Sequence, residues 1–201
     1  MPSPEQDYIK LTEQDNVQPE VAAAIFAALQ PATAELLTRG DGVWDGGAIK
    51  TGHPGEVQLR DMQWVGKTFR SSTDVDPIVV YDEAGGRKVK EAWGHAELRE
   101  LTYAKRNTIA MVYNSFPATD YFHYVNDDLV AGVMETAMDG LQEPFYFFLK
   151  RHNPTMGTST GKTVRLQHPP QHQWSEAWDN WDLTATRPAR LPSITWDKSS
   201  P

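Results

Sequence analysis

Asp120, Tyr113 and His53 are the residues of this chain best suited to moving a proton. Asp120 begins a strand-like segment beside Phe122 and faces back across a short turn toward Tyr113, so burial there would raise its pKa and make it a usable base or anchor. An aspartate that fixes the turn at residues 115–119 is the competing reading of the same position. His53 stands in a Gly-His-Pro-Gly turn, where an imidazole at a cavity mouth can exchange protons near neutral pH. Lys67 and Arg70 are candidate anchors for a carboxylate-bearing ligand; three apart on a strand, they point to opposite faces unless a bulge intervenes. On the 108–113 segment the bulkier face carries Met111 with Ile109 and Tyr113, and Trp44, Trp64, Phe122, Met134 and Phe147 extend an apolar lining. His123 alternates with Phe122 and falls on the outer face when Phe122 points inward, which makes it a secondary ligand-binding candidate. Such a lining suits a small apolar molecule held by a few polar groups.

The remaining chemistry is narrowed by what is missing. With no cysteine, disulfides, thiolate nucleophiles and thiolate metal sites are excluded. The six histidines show no metal-ligand spacing, and no phosphate-binding, dinucleotide-binding or serine-hydrolase motif occurs, so neither metal nor cofactor is expected. A net charge of -8 without a cluster of Lys and Arg argues against a nucleic-acid partner. No apolar run approaches the ~20 residues that span a bilayer. The opening MPSPEQDYIK lacks the features of a secretory leader, so a cytoplasmic protein is expected.

The elements that must position these residues are mostly strands. Residues 1–17 are polar and read as a flexible N-terminus. Pro19 can open a helix through Val21, Ile25 and Leu29, and a second helical turn covers residues 33–38. A short helix is expected between Gly55 and Trp64, followed by strands at 65–70, 77–81, 97–103, 108–113, 121–125, 129–135, 144–151 and 162–167. Short polar turns join them and helical crossovers are absent, which predicts a mainly β protein: one antiparallel barrel over residues 18–168. Residues 169–201 are rich in proline and tryptophan, with Trp174, Trp178 and Trp181 at helical spacing and Trp196 beyond. Aromatics in that number predict a tail that packs on the barrel or joins two copies in a homodimer.

Gly42-Val43-Trp44-Asp45-Gly46, Thr51-Gly52-His53-Pro54 and Trp64-Val65-Gly66-Lys67-Thr68-Phe69-Arg70 together resemble the family named for its GXWXG motif. Met111-Val112-Tyr113-Asn114, Asp120-Tyr121-Phe122, Val125-Asn126-Asp127-Asp128, Gly132-Val133-Met134 and Phe145-Tyr146-Phe147-Phe148-Leu149 resemble the domain of unknown function that usually follows it. The two parts run over about 20–75 and 76–152. Asn114 departs from the acid usual in that family. The motif is also similar to the glycine-flanked tryptophan of lipocalins, which implies a lipocalin-like barrel whose Trp44 closes one end beneath an arginine, either Arg151 or Arg165.

A barrel of this size can hold one small ligand. The expected function is therefore binding of a polyketide, terpenoid or lipid-like molecule, with cofactor-independent isomerase, cyclase or lyase chemistry of secondary metabolism. A noncatalytic carrier or sensor of the same kind of ligand is the alternative.

Overall fold

Ser3 opens the first helix, α1 (Pro4–Leu11), through a reciprocal capping box with Gln6. The computed structural model describes residues 2–138 and 140–153. The expectation of a flexible N-terminus is corrected here: Tyr8 and Leu11 are buried, and the Tyr8 hydroxyl donates to the Phe147 carbonyl at 2.7 Å. Two large apolar residues at i and i+3 give even a polar eight-residue helix a face to dock. Pro19 begins α2 (Pro19–Ala28) as expected, and α2 leads through β1 (Gln30–Pro31) to α3 (Ala34–Thr38), capped by Thr33.

The barrel starts at β2 (Val43–Ala48). It continues, after α4 (Pro54–Asp61), with β3 (Trp64–Phe69), β4 (Val75–Tyr81) and β5 (Arg87–Val89). A single 3-10 turn, Glu91–Trp93, precedes β6 (Ala96–Tyr103), β7 (Arg106–Tyr113), β8 (Ala118–Asn126), β9 (Leu129–Thr136) and β10 (Phe145–Arg151). Every pairing is antiparallel, and the order β8-β7-β6-β4-β3-β2-β10-β9 closes on itself through β8 and β9 into a ring of 8 strands. β1 and β5 flank the ring on β8 and β4. The ring closes with β2 as its remaining strand; the strand expected at 162–167 lies outside the described residues, as do Arg165 and the tryptophan-rich tail.

The seams are uneven. β6 and β7 pair along their whole length, from Ala96 opposite Tyr113 to Tyr103 opposite Arg106, whereas β4 meets β6 only where Val75 faces Ala96.

Two apolar cores follow from strand alternation. The inner one fills the barrel with Trp44, Phe69, Met111, Phe122, Phe147 and Leu149, among others. The outer one buries the backs of β8, β9 and β10 under α1 and α2, with Tyr8, Phe26 and Leu29 packed on Val125, Ala131 and Val133. Helices on one side thus seal part of the barrel wall and leave its two ends to differ.

Candidate active site

Trp44 closes one end. Its indole is fully buried, its Nε1–H donates to the Leu37 carbonyl of α3 at 2.8 Å, and the Arg151 guanidinium lies 4.2 Å from the ring centre. Arg151 is held over the ring by donating to the carbonyls of Leu36 and Arg39, at 3.1 and 3.0 Å. The stacking partner implied by the lipocalin likeness is therefore Arg151. Trp44 does not border the cavity at the opposite end, so its candidacy as a ligand contact is corrected to that of an end plug.

The shape of β3 determines what faces the other end. Gly66 sits at φ 144°, and a Cβ there would lie 1.9 Å from the Trp44 carbonyl oxygen, so only glycine lets β3 approach β2 this closely. Pairing with β4 shifts register on both sides of Gly66. This bulge turns Trp64 and Lys67, three residues apart, into the same interior. Beyond it normal alternation resumes: Phe69 is buried in the inner core, and Arg70 faces outward to bond Asp76 at 2.6 and 2.9 Å and Asp74 at 3.0 Å. The Trp64 indole lies flat over Gly46, where a Cβ would meet it at 2.1 Å, and Phe147 lies likewise over Gly132.

Around these residues is a cavity of about 30 Å³. That is room for a water or two as the side chains stand, and a larger ligand needs them to rotate. The rim is built for it: Met62, Met134 and Met138 are unbranched and flexible. Leu59 of α4 and Leu141 of the connection between β9 and β10 complete the cover, while Trp93 stands at the sparse β4–β6 seam, stacked on Phe116.

At the inner end lies a buried ion pair. Lys67 Nζ is 2.8 Å from Asp120 Oδ2, with their side chains only 3% and 1% exposed. The ammonium also donates to the Pro77 carbonyl at 3.0 Å and to the Tyr113 hydroxyl at 3.2 Å, which occupies all three of its N–H groups. Tyr113 in turn donates to Asp120 Oδ2 at 3.3 Å. The rings of Trp64, Tyr113 and Phe147 surround Nζ at 5.6, 5.5 and 5.2 Å. Desolvation pushes the Lys67 ammonium below its ordinary pKa, opposed by Asp120. Desolvation likewise raises Asp120, opposed by the charge and hydrogen bond of Lys67 and the hydroxyl of Tyr113. Tyr113 is pushed well up by burial and by the Asp120 charge beside it. Two of the residues that line the cavity each hold a buried polar atom, Asp120 Oδ1 and Trp64 Nε1, without a partner among the described residues.

The structure thus brings Asp120, Tyr113, Lys67, Trp64, Met134 and Phe147 around one cavity. It does not bring the others there. Met111 and Phe122 point inward but are packed into solid core, Phe122 edge-to-face with Phe69 at 5.7 Å and Phe147 at 6.0 Å. Arg70 is spent on Asp74 and the buried Asp76, away from the cavity. His123 faces the outer core, stacked on Phe26 at 4.2 Å with its Nδ1–H donating 2.8 Å to the Phe26 carbonyl, because α2 covers that wall of the barrel. Nor does His53 border the cavity. Its Nδ1 accepts from the Gly55 N–H at 2.9 Å and its Nε2–H donates to the Glu143 carbonyl at 3.1 Å, so both nitrogens are engaged in holding α4 to the β9–β10 connection. Lys67 as an anchor for a ligand carboxylate is corrected as well, since Asp120 already balances its charge.

Ile78, Trp93, Met138, Leu141 and Phe145 line the cavity without having been singled out by sequence. Leu59 and Met62 had a legible signal, helical spacing on the segment after Pro54. Away from the cavity, Asp74, Asp76 and His95 bring their ligand atoms within 4.8 Å of one another, but Arg70 already bonds to both carboxylates.

Fold and site together define a closed, antiparallel, lipocalin-like barrel with a plugged end and an apolar cavity at the other. The chain matches the GXWXG protein family over residues 24–85 and the domain of unknown function DUF4334 over residues 94–151, together more than half its length, and it belongs to the GXWXG proteins that carry this second domain. The first match holds β1 to β4 and the second β6 to β10, so the two regions are halves of one barrel. The crystal structure of a protein from Thermomonospora curvata is similar, at 28% identity and a TM-score of 0.68, covering 75% of this chain and 99% of that one. No curated protein matches. Among the described residues no helix is long and apolar enough to cross a membrane.

Proposed function

We propose that the cavity binds a small apolar molecule, of polyketide, terpenoid or lipid-like character, and that Asp120 moves a proton on it without a cofactor. The observation that carries this reading is the ion pair of Lys67 and Asp120, buried beside an apolar cavity with one carboxylate oxygen unpartnered. A buried pair of this kind contributes little net stability, because desolvating two charges costs about as much as their attraction returns. A catalytic carboxylate needs what the pair supplies: a pKa raised by burial, a fixed geometry and a free oxygen toward the substrate.

In this reading Asp120 Oδ1 takes a proton from one position of the bound molecule and returns it to another, which leaves the protein unchanged and gives net isomerisation. Lys67 and Tyr113 hold Oδ2, so the oxygen that reacts is Oδ1. The methionine-rich rim adapts to the skeleton and excludes water, and confinement supplies orientation. Cyclase or lyase chemistry needs the same parts.

The experiment is native mass spectrometry of the purified protein to identify a co-purified compound, then incubation of that compound or its precursor with wild type, Asp120→Asn and Tyr113→Phe. Turnover that falls by at least ~100-fold in Asp120→Asn while binding persists supports the proposal. Binding with no conversion by the wild type refutes the catalytic reading and leaves a carrier or sensor.

A further inference from the structure

The two unpartnered atoms of the cavity differ in kind. Asp120 Oδ1 is an acceptor belonging to a carboxylate 1% exposed, and Trp64 Nε1–H is a donor. Their side chains flank the same ammonium, since Lys67 Nζ lies 2.8 Å from the other Asp120 oxygen and 5.6 Å from the centre of the Trp64 ring. The remaining buried atom without a partner among the described residues, His123 Nε2, belongs to the outer core.

Complementarity to this pair is restrictive. A ketone or aldehyde can accept from Trp64 but offers nothing to Oδ1. A carboxylate would set two negative groups together, and Lys67 has no N–H left to neutralise it, its three being given to Asp120, Pro77 and Tyr113. An ammonium would answer Oδ1 but leave Trp64 unsatisfied and add a net charge to a site whose charges already cancel. A hydroxyl donates and accepts at one atom. Leaving either buried group unpaired carries most of the desolvation cost, so the ligand that pairs both is strongly preferred. A water molecule can meet the same two groups, and a ligand hydroxyl displaces it while reproducing its bonds.

We propose, on the reading of the cavity as a binding site, that it selects an uncharged alcohol or phenol on a small apolar skeleton, with the O–H donating to Asp120 Oδ1 and accepting from Trp64 Nε1. Trp64 is then a specificity residue of the site.

Ligand-observed NMR titration of the full chain with benzyl alcohol, toluene, benzaldehyde, benzylamine and benzoate tests this at constant ring size. Benzyl alcohol is expected to bind about tenfold tighter than toluene, benzaldehyde or benzylamine, with benzoate weakest. In Trp64→Phe the advantage of benzyl alcohol over toluene, read as the ratio of their affinities, should shrink to about threefold or less. If toluene, benzaldehyde, benzylamine or benzoate binds the wild type as well as benzyl alcohol does, the hydroxyl proposal is overturned and the cavity reading stands. If none of the five binds, the cavity reading falls and this proposal with it.

Discussion

Replacing Lys67 with methionine removes one charge from the interior and keeps most of the side-chain volume. Both members of the pair are almost wholly out of solvent, so Asp120 is left with a buried charge and only Tyr113 as a hydrogen-bond partner. Breaking one side of such a pair costs about 3–5 kcal/mol. The cost has an outlet, because Asp120 is already raised by burial and, without the Lys67 charge that opposes this, its pKa rises further. In the variant its folded pKa lies above the unfolded value of about 3.9. The folded state then binds the extra proton between those two values, and stability falls as pH rises through that window. Lys67→Met should therefore be less destabilised relative to wild type at pH 5 than at pH 8. The double variant Lys67→Met/Asp120→Leu removes both charges and should lie between wild-type stability and about 4 kcal/mol above it. Urea unfolding of wild type, both single variants and the double variant, followed by tryptophan fluorescence at the two pH values, measures each quantity. A Lys67→Met loss below about 1 kcal/mol at pH 8, or a double variant as unstable as its two single changes added together, would refute the claim that these groups act as one desolvated unit.

His53 predicts a second pH effect. Desolvation lowers its pKa, opposed by the Glu143 carbonyl and by the charges of Glu56 and Glu143, so the unfolded chain binds its proton first as pH falls and stability declines below about pH 6.5. Protonating Nδ1 also ends its acceptance from Gly55; His53→Asn, which can cap the helix without titrating, should flatten the dependence of the urea midpoint between pH 5 and 8, and an unchanged slope would contradict this. Trp44→Phe leaves the Leu37 carbonyl without its donor and weakens the stack under Arg151, an expected loss of about 1–3 kcal/mol in the same unfolding assay. Gly66→Ala puts a methyl against the Trp44 carbonyl and should cost more than about 3 kcal/mol or abolish folding, as read by circular dichroism. His123→Phe should alter stability while leaving affinity for benzyl alcohol unchanged, since the residue sits beneath α2; a change in that affinity by NMR titration would place it in the wrong layer.

The sequence by itself determined the class of fold and much of the site's inner end. Alternation on 108–113 put Met111 and Tyr113 on the interior face, because a strand has only two faces and bulk selects the buried one, and the family likeness put Phe122 inward with Asp120 beside it. The glycine-flanked Trp44 marked the first strand, and the likeness to lipocalins pointed to an arginine above it. What alternation could not supply is which interior residues border open space. Met111 is the direct cross-strand partner of Asp120, yet only Asp120 borders the cavity; which interior residue meets open space depends on the side chains that strands distant in sequence bring against it.

Lys67 was visible as a cation on a strand, but its partnership with Asp120 depends on a bulge at Gly66 and on a ring closed between strands far apart in sequence. His123 looked outward correctly; that outward here means beneath α2, and not into solvent, depends on helices packed from the far N-terminus. His53 had the chemistry of a proton carrier, and the fold engaged both its nitrogens in backbone bonds. Local periodicity records the direction of each side chain relative to its own strand, whereas what meets it there is decided by long-range closure of the sheet.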